Sequence, residues 1–206
     1  MAEDFLNEIP SAWKGHKQFA EWLVETMKPE MIVELGVDYG YSSFVFAMAL
    51  EKHNPAGKIY GIDWFQGDAH AGERDTLTYV VERKEKHSLN RLEIIKGDFA
   101  EIAKAWSRPV DILHIDGYHT FEAVQNDFKN WSPFVKNDGV ILFHDTAIGG
   151  FGIKDFFRTL NQGHRLHFLH SAGLGIFTKN TALFEAIKAK FSVGNDRVYD
   201  YYERPC

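Results

Sequence analysis

The sequence predicts an α/β protein with a doubly wound, mostly parallel sheet of seven strands, helices on both faces and an antiparallel hairpin at one edge. Three observations support this fold class. Short apolar runs without clean alternation are separated by helical patterns, which is typical of parallel strands covered on both faces. A strand, a glycine-bearing turn and an apolar helix follow one another early in this pattern. Two late β-like runs have a short glycine-containing join, which favours a hairpin.

The elements are predicted in order along the chain. An amphipathic leading helix is expected at about 12–27, with apolar residues at helical spacing before Pro29. The parallel strands are expected at Met31–Leu35, Lys58–Ile62, Leu92–Lys96, Val110–Ile115 and Gly139–His144. The intervening helices are expected at about 41–52, 73–88, 99–106 and 120–136, and another helix near 152–161. The two strands of the hairpin are expected at Arg165–His170 and Gly173–Thr178. A helix near 181–191 and an aromatic tail (Tyr199, Tyr201, Tyr202) are expected after them.

Composition indicates a folded protein without a disulfide framework. Of the 206 residues, 45% are hydrophobic and 15% aromatic, and the sole cysteine is the terminal Cys206. The net charge of −6 shows no bias toward nucleic acid or anionic membranes. No signal peptide or membrane-spanning run is visible, so a cytoplasmic location is the default expectation. No linker or repeat divides residues 1–206, which we therefore interpret as one domain; a homo-oligomer is left open.

The glycine turn has the pattern Glu34-x-Gly36-x-x-x-Gly40 and leads to Ser42. A turn of this kind after the first strand of an α/β sheet is where nucleotide-like ligands bind. A carboxylate directly before the turn would repel a pyrophosphate but attract a ligand ammonium group. The pattern therefore favours an amino-acid-bearing nucleoside such as S-adenosylmethionine, although a plain tight turn fits the same residues.

Acidic residues lie at the ends of all five predicted parallel strands: Glu34, Asp63, Asp98, Asp116 and Asp145. Because ligands bind outside the carboxyl ends of such strands, these carboxylates are candidates for one site. We expect Asp63 to accept ribose hydroxyls and Asp98 to accept from an adenine amino group. At each position the alternative is that the acid only caps the next helix.

A second cluster combines Asp116 and His119 with His144 and Asp145, at the ends of neighbouring strands. Two carboxylates and an imidazole suit a divalent cation, and this oxygen-rich set favours Mg²⁺ or Mn²⁺ over zinc. His119 is a candidate general base for a substrate hydroxyl. The alternative is that His144 and Asp145 form a polar strand exit and that His119 caps a helix.

Two loops are candidates for ligand contact. In the loop Asp63–Gly72, Trp64 can either stack on an adenine ring or anchor the loop in the core, and Asp68 and His70 can reach the substrate side. The glycine-rich stretch Gly149–Gly152 after the fifth strand is a candidate substrate-side loop.

These residues together resemble the Rossmann-like S-adenosylmethionine-dependent methyltransferases. The run Glu34–Ser42 is similar to the corresponding segment of the catechol O-methyltransferase group. The segments Asp111–Thr120 and Val140–Thr146 resemble a bacterial branch of small methyltransferases associated with sugar, polysaccharide or secondary-metabolite modification. The segment Asp63–Gly72 and the Gly-Phe-Gly motif ending at Gly152 also resemble that branch, so the resemblance spans about residues 12–178.

The resemblance implies roles for individual residues. Glu34, Gly36 and Gly40 would border the methionine moiety, Asp63 would hold the ribose and Asp98 would lie near the adenine. Ser42, Trp64 and Asp116 are further candidates for cofactor binding. Asp116, His144 and Asp145 would bind the cation and Asp116 and His119 would be catalytic. The metal-dependent catechol-type enzymes usually have an acid at the place of His144 and a lysine at that of His119, so the chain departs from their pattern twice.

The sequence therefore predicts an S-adenosylmethionine-dependent methyltransferase that modifies a hydroxyl of a small molecule or saccharide, with Mg²⁺ or Mn²⁺ assistance. The alternative is a non-catalytic S-adenosylmethionine or nucleoside-binding module of a biosynthetic assembly. An NAD-dependent oxidoreductase is disfavoured, because G-x-G-x-x-G is missing and Glu34 is charged. The chain shows no dense basic stripe for nucleic acid, and nothing in it identifies the acceptor.

Overall fold

A computed structural model describes residues 4–68, 72–194 and 197–200. The strands are Met31–Leu35 (β1), Lys58–Asp63 (β2), Gly67–Asp68 (β3), Gly72–Glu73 (β4), Leu92–Lys96 (β5), Val110–Ile115 (β6), Val135–His144 (β7), His164–Phe168 (β8), Leu174–Thr178 (β9) and Val198–Asp200 (β10). The α-helices are Lys17–Met27 (α1), Tyr41–His53 (α2), Leu77–Lys86 (α3), Phe99–Ala105 (α4), Phe121–Trp131 (α5), Gly152–Thr159 (α6) and Thr181–Lys190 (α7). Short 3-10 helices cover Asp4–Glu8, Ala12–His16 and Ser132–Phe134. His70, Tyr201 and Tyr202 lie outside the described residues.

The main sheet has the strand order β10-β8-β9-β7-β6-β1-β2-β5. The five strands from β7 to β5 are parallel, as predicted, and β9 joins β7 in the antiparallel sense. The predicted hairpin is formed by β8 and β9. The strand count was wrong, because β10 pairs antiparallel with β8 and makes the sheet eight-stranded in the described part of the chain.

Apolar side chains pack on both faces of the sheet, which is why the parallel strands have no clean alternation. In β1 the side chain of Ile32 packs into one cluster with residues of α1, α2 and α7. The next side chain, Val33, packs into a second cluster with residues of α5 and α6. Successive strand residues thus supply opposite cores, and Glu34 falls on the same face as Ile32.

Three predicted boundaries differ from the structure. The helix predicted over 120–136 ends at Trp131, and after a 3-10 turn containing Pro133 the strand β7 begins at Val135. Proline has no backbone N–H and disrupts a continuing helix, so the helix does not continue to residue 136 as predicted. The leading helix spans the predicted residues, but 12–16 are 3-10 helix with Ser11 as its cap. The helix predicted from residue 73 begins at Leu77, because β3 and β4 pair before it.

No helix in the described ranges is both long enough and apolar enough to cross a membrane.

Candidate active site

A cavity of about 380 Å³ opens at the carboxyl ends of the parallel strands. This is the edge where α/β sheets bind ligands. Most of the predicted site residues line it together: Gly36, Ser42, Asp63, Trp64, Asp98, Asp116, His119, His144 and Asp145. Glu34 and Gly40 are not among the described residues that line this cavity.

Gly36 brings the loops after β1 and β6 into direct contact. A side-chain Cβ at this position would lie 2.0 Å from the carbonyl oxygen of Asp116, and the φ angle of Gly36 is +94°. Both features require glycine. Gly40, with a φ angle of +83°, is the N-cap of α2, and its N–H donates to Val37 across 2.8 Å. It shapes the turn, while Ser42 in the first turn of α2 faces the cavity.

Asp63 holds the glycine turn in place. Its Oδ2 accepts hydrogen bonds from the backbone N–H groups of Val37 and Asp38 at 2.7 and 2.9 Å. Its Oδ1 accepts from the N–H of Phe65 at 2.7 Å. A carboxylate has about four acceptor positions, so Asp63 retains capacity for a ligand hydroxyl.

Glu34 does not face the cavity, and its predicted direct contact with a ligand ammonium group is corrected by the structure. Its side chain is fully buried. One carboxylate oxygen accepts from the Ser43 hydroxyl, and the other lies 2.8 Å from Nδ1 of His114. Because Nε2 of His114 accepts from the Trp13 indole N–H at 3.1 Å, Nδ1 of the neutral ring is the donor. The strand places Glu34 on the face covered by α2, so it supports the turn from behind.

The loop after β2 exposes Trp64 and buries its neighbour. Trp64 is 52% exposed at the edge of the cavity, and its indole donates to Gln66 at 2.6 Å. The interpretation of Trp64 as a buried anchor is therefore wrong. Phe65, which the sequence analysis did not single out, fills that role with 1% exposure and a φ angle of +59°.

Asp98 caps a helix and also lines the cavity. Its Oδ1 accepts from the backbone N–H of Glu101 at 3.0 Å, which caps α4. The same residue lines the cavity beside Gly97 and Phe99. Capping by one oxygen leaves the carboxylate able to accept a hydrogen bond from a ligand.

Asp116, His144 and Asp145 converge as a cluster that fits a divalent cation. One ligand atom from each residue lies within 4.8 Å of the others. Nε2 of His144 lies 3.1 Å from the carbonyl oxygen of Ser171, so that nitrogen carries the proton and donates. Nδ1 is thereby directed toward the two carboxylates, at 3.2 Å from Asp116 and 3.4 Å from Asp145. A histidine that binds a metal through one nitrogen commonly donates through the other to such a carbonyl.

The carboxylates of the same cluster favour the protonated form of His144. Burial alone would lower the pKa of His144, but the Asp116 and Asp145 carboxylates overcome this effect and raise the pKa to about 9. Burial alone would raise the pKa of Asp116, and the neighbouring His144 lowers it instead. A cation at this position would replace the proton on Nδ1 as the positive charge between the two acids.

His119 lies beside this cluster, as predicted. Its Nε2 is 2.8 Å from Oδ2 of Asp145, and its ring stacks on Phe151 at a centroid distance of 4.6 Å. The backbone N–H of Gly152 donates to the carbonyl of His119 at 2.8 Å. The glycine-rich stretch after β7 therefore ends next to the candidate base.

Asp38 and Arg74 are cavity residues that the sequence analysis missed. The Arg74 guanidinium lies 2.9 Å from Oδ1 of Asp38 and over the ring of Tyr39. Burial raises the pKa of Asp38 to about 6, although Arg74 acts in the opposite direction. Asp38 lies within the run Glu34–Ser42 that the sequence indicated as a ligand-binding turn. No sequence pattern indicates Arg74, because only the path of the loop from Gly67 brings this residue to the cavity.

The segment before the 3-10 helix Ala12–His16 also forms part of the cavity wall, through Pro10, Ser11 and Ala12. The leading segment had been interpreted only as an amphipathic helix.

Comparisons with known proteins agree with this geometry. Residues 33–146, more than half of the chain, match the model of a family described as a methyltransferase domain. The uncharacterized protein y4gI of Sinorhizobium fredii is 34% identical over 171 residues, which are 81% of this chain and 19% of y4gI. The chain thus spans about a fifth of the length of that relative.

Two solved structures show the same fold. A methyltransferase from Geobacter sulfurreducens matches with a TM-score of 0.66 and 16% identity, over 87% of each chain. The O-methyltransferase TomG from Streptomyces achromogenes, solved in complex with S-adenosylmethionine, matches with a TM-score of 0.62 and 15% identity, over 85% of this chain and 89% of TomG. The chain therefore belongs to the methyltransferase domain family and has the Rossmann-like fold of these enzymes.

Proposed function

We propose that the protein transfers the methyl group of S-adenosylmethionine to a hydroxyl oxygen of a small molecule or saccharide. The observation that carries this proposal is that one cavity contains both the glycine turn held by Asp63 and the cluster around Asp116. A donor bound at the turn would lie next to an acceptor bound at the cluster. Direct transfer needs this proximity, because the donor is already activated and the protein mainly has to position the two reactants.

The cofactor end is formed by the glycine turn and two strand ends. Gly36 lets a ligand approach the backbone, and Ser42 offers a hydroxyl from the first turn of α2. Asp63 keeps acceptor capacity for a ribose hydroxyl, and Asp98 keeps it for the adenine amino group. The exposed ring of Trp64 is available to cover the purine.

The acceptor end is formed by the cation cluster and His119. Asp116, His144 and Asp145 would hold Mg²⁺ or Mn²⁺, which when bound lowers the pKa of a coordinated hydroxyl. Nε2 of His119 would take the hydroxyl proton as the acceptor oxygen bonds to the methyl carbon and the carbon–sulfur bond breaks. This requires the ring to leave Asp145 and to carry its single proton on Nδ1, so that Nε2 can accept, while the Asp145 carboxylate would be free to bind the cation.

Calorimetry with S-adenosylmethionine and S-adenosylhomocysteine tests the cofactor assignment. A labelled methyl donor and a panel of hydroxylated sugars and catechols test transfer, with and without a chelator. We expect turnover that falls on chelation and in His119→Ala, and that is unchanged in the control Asp155→Asn on the exposed surface of α6. Failure to bind either ligand would refute the proposal.

Two intermediate results have distinct meanings. Binding without turnover on any acceptor would support the alternative, a non-catalytic binding module. Turnover that is insensitive to both chelation and His119→Ala would remove the cation and the base while leaving the methyl transfer itself.

A further inference from the structure

His16, a fully buried histidine at the end of the 3-10 helix Ala12–His16, has no role in the function proposed above. Its Nε2 lies 3.2 Å from the carbonyl oxygen of Ser171. Burial, reinforced by the neighbouring His144, lowers the pKa of His16 to about 2, so the ring is neutral and has a single proton. Because a carbonyl oxygen can only accept a hydrogen bond, that proton is on Nε2.

The second ring nitrogen of His16 makes a histidine costly at this position. Nδ1 is buried and has no hydrogen-bond partner among the described residues. A buried acceptor without a donor raises the free energy of the folded state, and an apolar side chain of similar size would avoid this cost. The hydrogen bond from Nε2 to Ser171 is what a histidine provides here and an apolar side chain would not.

The same Ser171 carbonyl accepts a hydrogen bond from His144, whose Nδ1 is directed toward the cation cluster. Nε2 of His144 lies 3.1 Å from this oxygen. The rings of His16 and His144 are nearly perpendicular, at 82°, with their centroids 5.8 Å apart. Since a carbonyl oxygen has two lone pairs, it accepts from both rings at once. Ser171 therefore links His16 to a residue of the cluster.

The turn between β8 and β9 holds the Ser171 carbonyl in a strained backbone conformation. Ser171 and Ala172 have φ angles of +50° and +69°, which are unfavourable for residues with a side chain. The carbonyl of Ala172 accepts from the N–H of Ala147 at 2.9 Å. Gly15 lets the turn approach the 3-10 helix, because a Cβ there would lie 2.2 Å from Oγ of Ser171. Such a conformation persists only where its surroundings fix it, and the hydrogen bond from His16 is one of these contacts.

We propose that His16 is a positioning residue for His144. By holding the Ser171 carbonyl, it keeps the proton of the His144 ring on Nε2 and leaves Nδ1 directed toward Asp116 and Asp145 for a cation. This inference rests on the proposed function and concerns only its cation-binding end. Partners that orient a ligand histidine through its second nitrogen typically affect metal affinity by about 10–100-fold.

The 3-10 helix also offers a matched comparison. Trp13 precedes His16 by three residues, so the two side chains project from the same side of this helix. Trp13 donates to Nε2 of His114, which is not a member of the cation cluster. Trp13→Phe therefore removes a buried hydrogen bond of the same helix without removing a donor to the Ser171 carbonyl.

Binding of Mn²⁺ to the full chain tests the inference. Titration followed by electron paramagnetic resonance gives the affinity, and electron spin echo envelope modulation detects an imidazole nitrogen coordinated to bound Mn²⁺. In the wild-type protein we expect a nitrogen coupling that disappears in His144→Leu. His16→Leu should bind Mn²⁺ about tenfold more weakly and show a reduced coupling. His16→Gln should keep both, because its amide N–H can donate to Ser171, and Trp13→Phe should keep both as well.

A measurement on the wild-type protein keeps the inference testable if His16→Leu does not fold. Nitrogen NMR of protein labelled at histidine reports which ring nitrogen carries the proton, and for His16 this should be Nε2. A proton on Nδ1 of His16 would overturn the inference. Unchanged affinity and coupling in folded His16→Leu, or equal losses in His16→Leu and Trp13→Phe, would overturn the positioning role alone.

The same data separate this inference from the function on which it rests. Failure of the wild-type protein to bind Mn²⁺, or a nitrogen coupling that persists in His144→Leu, would refute the proposed cation cluster and this inference with it. The methyl-donor assignment is tested independently by binding of S-adenosylhomocysteine.

Discussion

The indole N–H of Trp13 donates a hydrogen bond to Nε2 of His114 across 3.1 Å, between two residues that are 101 positions apart. His114 lies in the central strand β6, and its other ring nitrogen contacts Glu34. Pro10, Ser11 and Ala12 line the cavity just before Trp13. This hydrogen bond therefore fastens one wall of the cavity to the middle of the sheet.

Replacing Trp13 with phenylalanine should lower the free energy of unfolding by about 1–3 kcal/mol, because it leaves a buried acceptor on His114 unpaired. Urea denaturation measures the change. Trp22→Phe is the matched control, since the Trp22 ring contacts Phe19 and Phe191 through its faces and edges. Equal destabilisation by the two variants would show that ring volume, and not the hydrogen bond, matters at Trp13.

Glu34→Gln should destabilise the fold by about 2–4 kcal/mol, because an amide cannot accept from both Ser43 and His114. Since Glu34 does not face the cavity, the affinity of the folded variant for S-adenosylhomocysteine should change less than that of Asp63→Asn. Denaturation curves and calorimetry on both variants give the comparison. A Glu34→Gln variant of normal stability that no longer binds would instead indicate direct ligand contact.

Gly36→Ala should cost about 2–4 kcal/mol of stability, because the added methyl group meets the Asp116 carbonyl and the φ angle is positive. Thermal and urea unfolding test this. Gly149→Ala provides the control, as a Cβ there has nothing within 4 Å. Similar unfolding curves for the two variants would mean that the loops after β1 and β6 can move apart at little cost in free energy.

Asp145→Asn should weaken Mn²⁺ binding by about tenfold or more, because it removes a charged ligand from the cluster with Asp116 and His144. Titration monitored by electron paramagnetic resonance measures free Mn²⁺ directly. Asp155→Asn keeps the same charge change on the exposed surface of α6 and should bind like the wild type. Unchanged affinity in Asp145→Asn would place any bound cation elsewhere.

The stability of the wild-type protein relative to Asp127→Asn should fall as pH rises from about 4 to 8. Burial raises the pKa of Asp127 to about 7, so the native state binds its proton more tightly than the unfolded chain does. This contribution is complete below the unfolded pKa and is lost as pH passes the folded value, and its upper size is about 4 kcal/mol. Urea denaturation at several pH values measures the difference between the two proteins, and parallel curves would contradict it.

The parallel strands could be predicted from the sequence because each is a short apolar run that ends in a polar residue. The start of β1 and its end at Leu35 were predicted correctly. The short strand β10 was not, since three residues carry no usable period and their pairing with β8 depends on the path of the chain. The helix predicted through Ser132 and Pro133 was too long because Phe134 and Val135, three and four positions after Trp131, continue the helical spacing of apolar residues beyond the true end.

The gathering of Asp63, Asp98 and Asp116 at one cavity followed from sequence order alone, because parallel strands in one sheet present their carboxyl ends at the same edge. Packing between distant parts of the chain determined that Glu34 is buried. Helix α2 covers its face of the sheet, and the strand register places it opposite His114, 80 residues away. The burial of Asp127 also depends on distant packing, because the hydrogen bond from Trp131 to the Phe99 carbonyl fixes α5 against the start of α4. Local patterns specify which residues alternate along a strand or helix, whereas only the assembled layers determine which of those faces meets solvent, a ligand or the core.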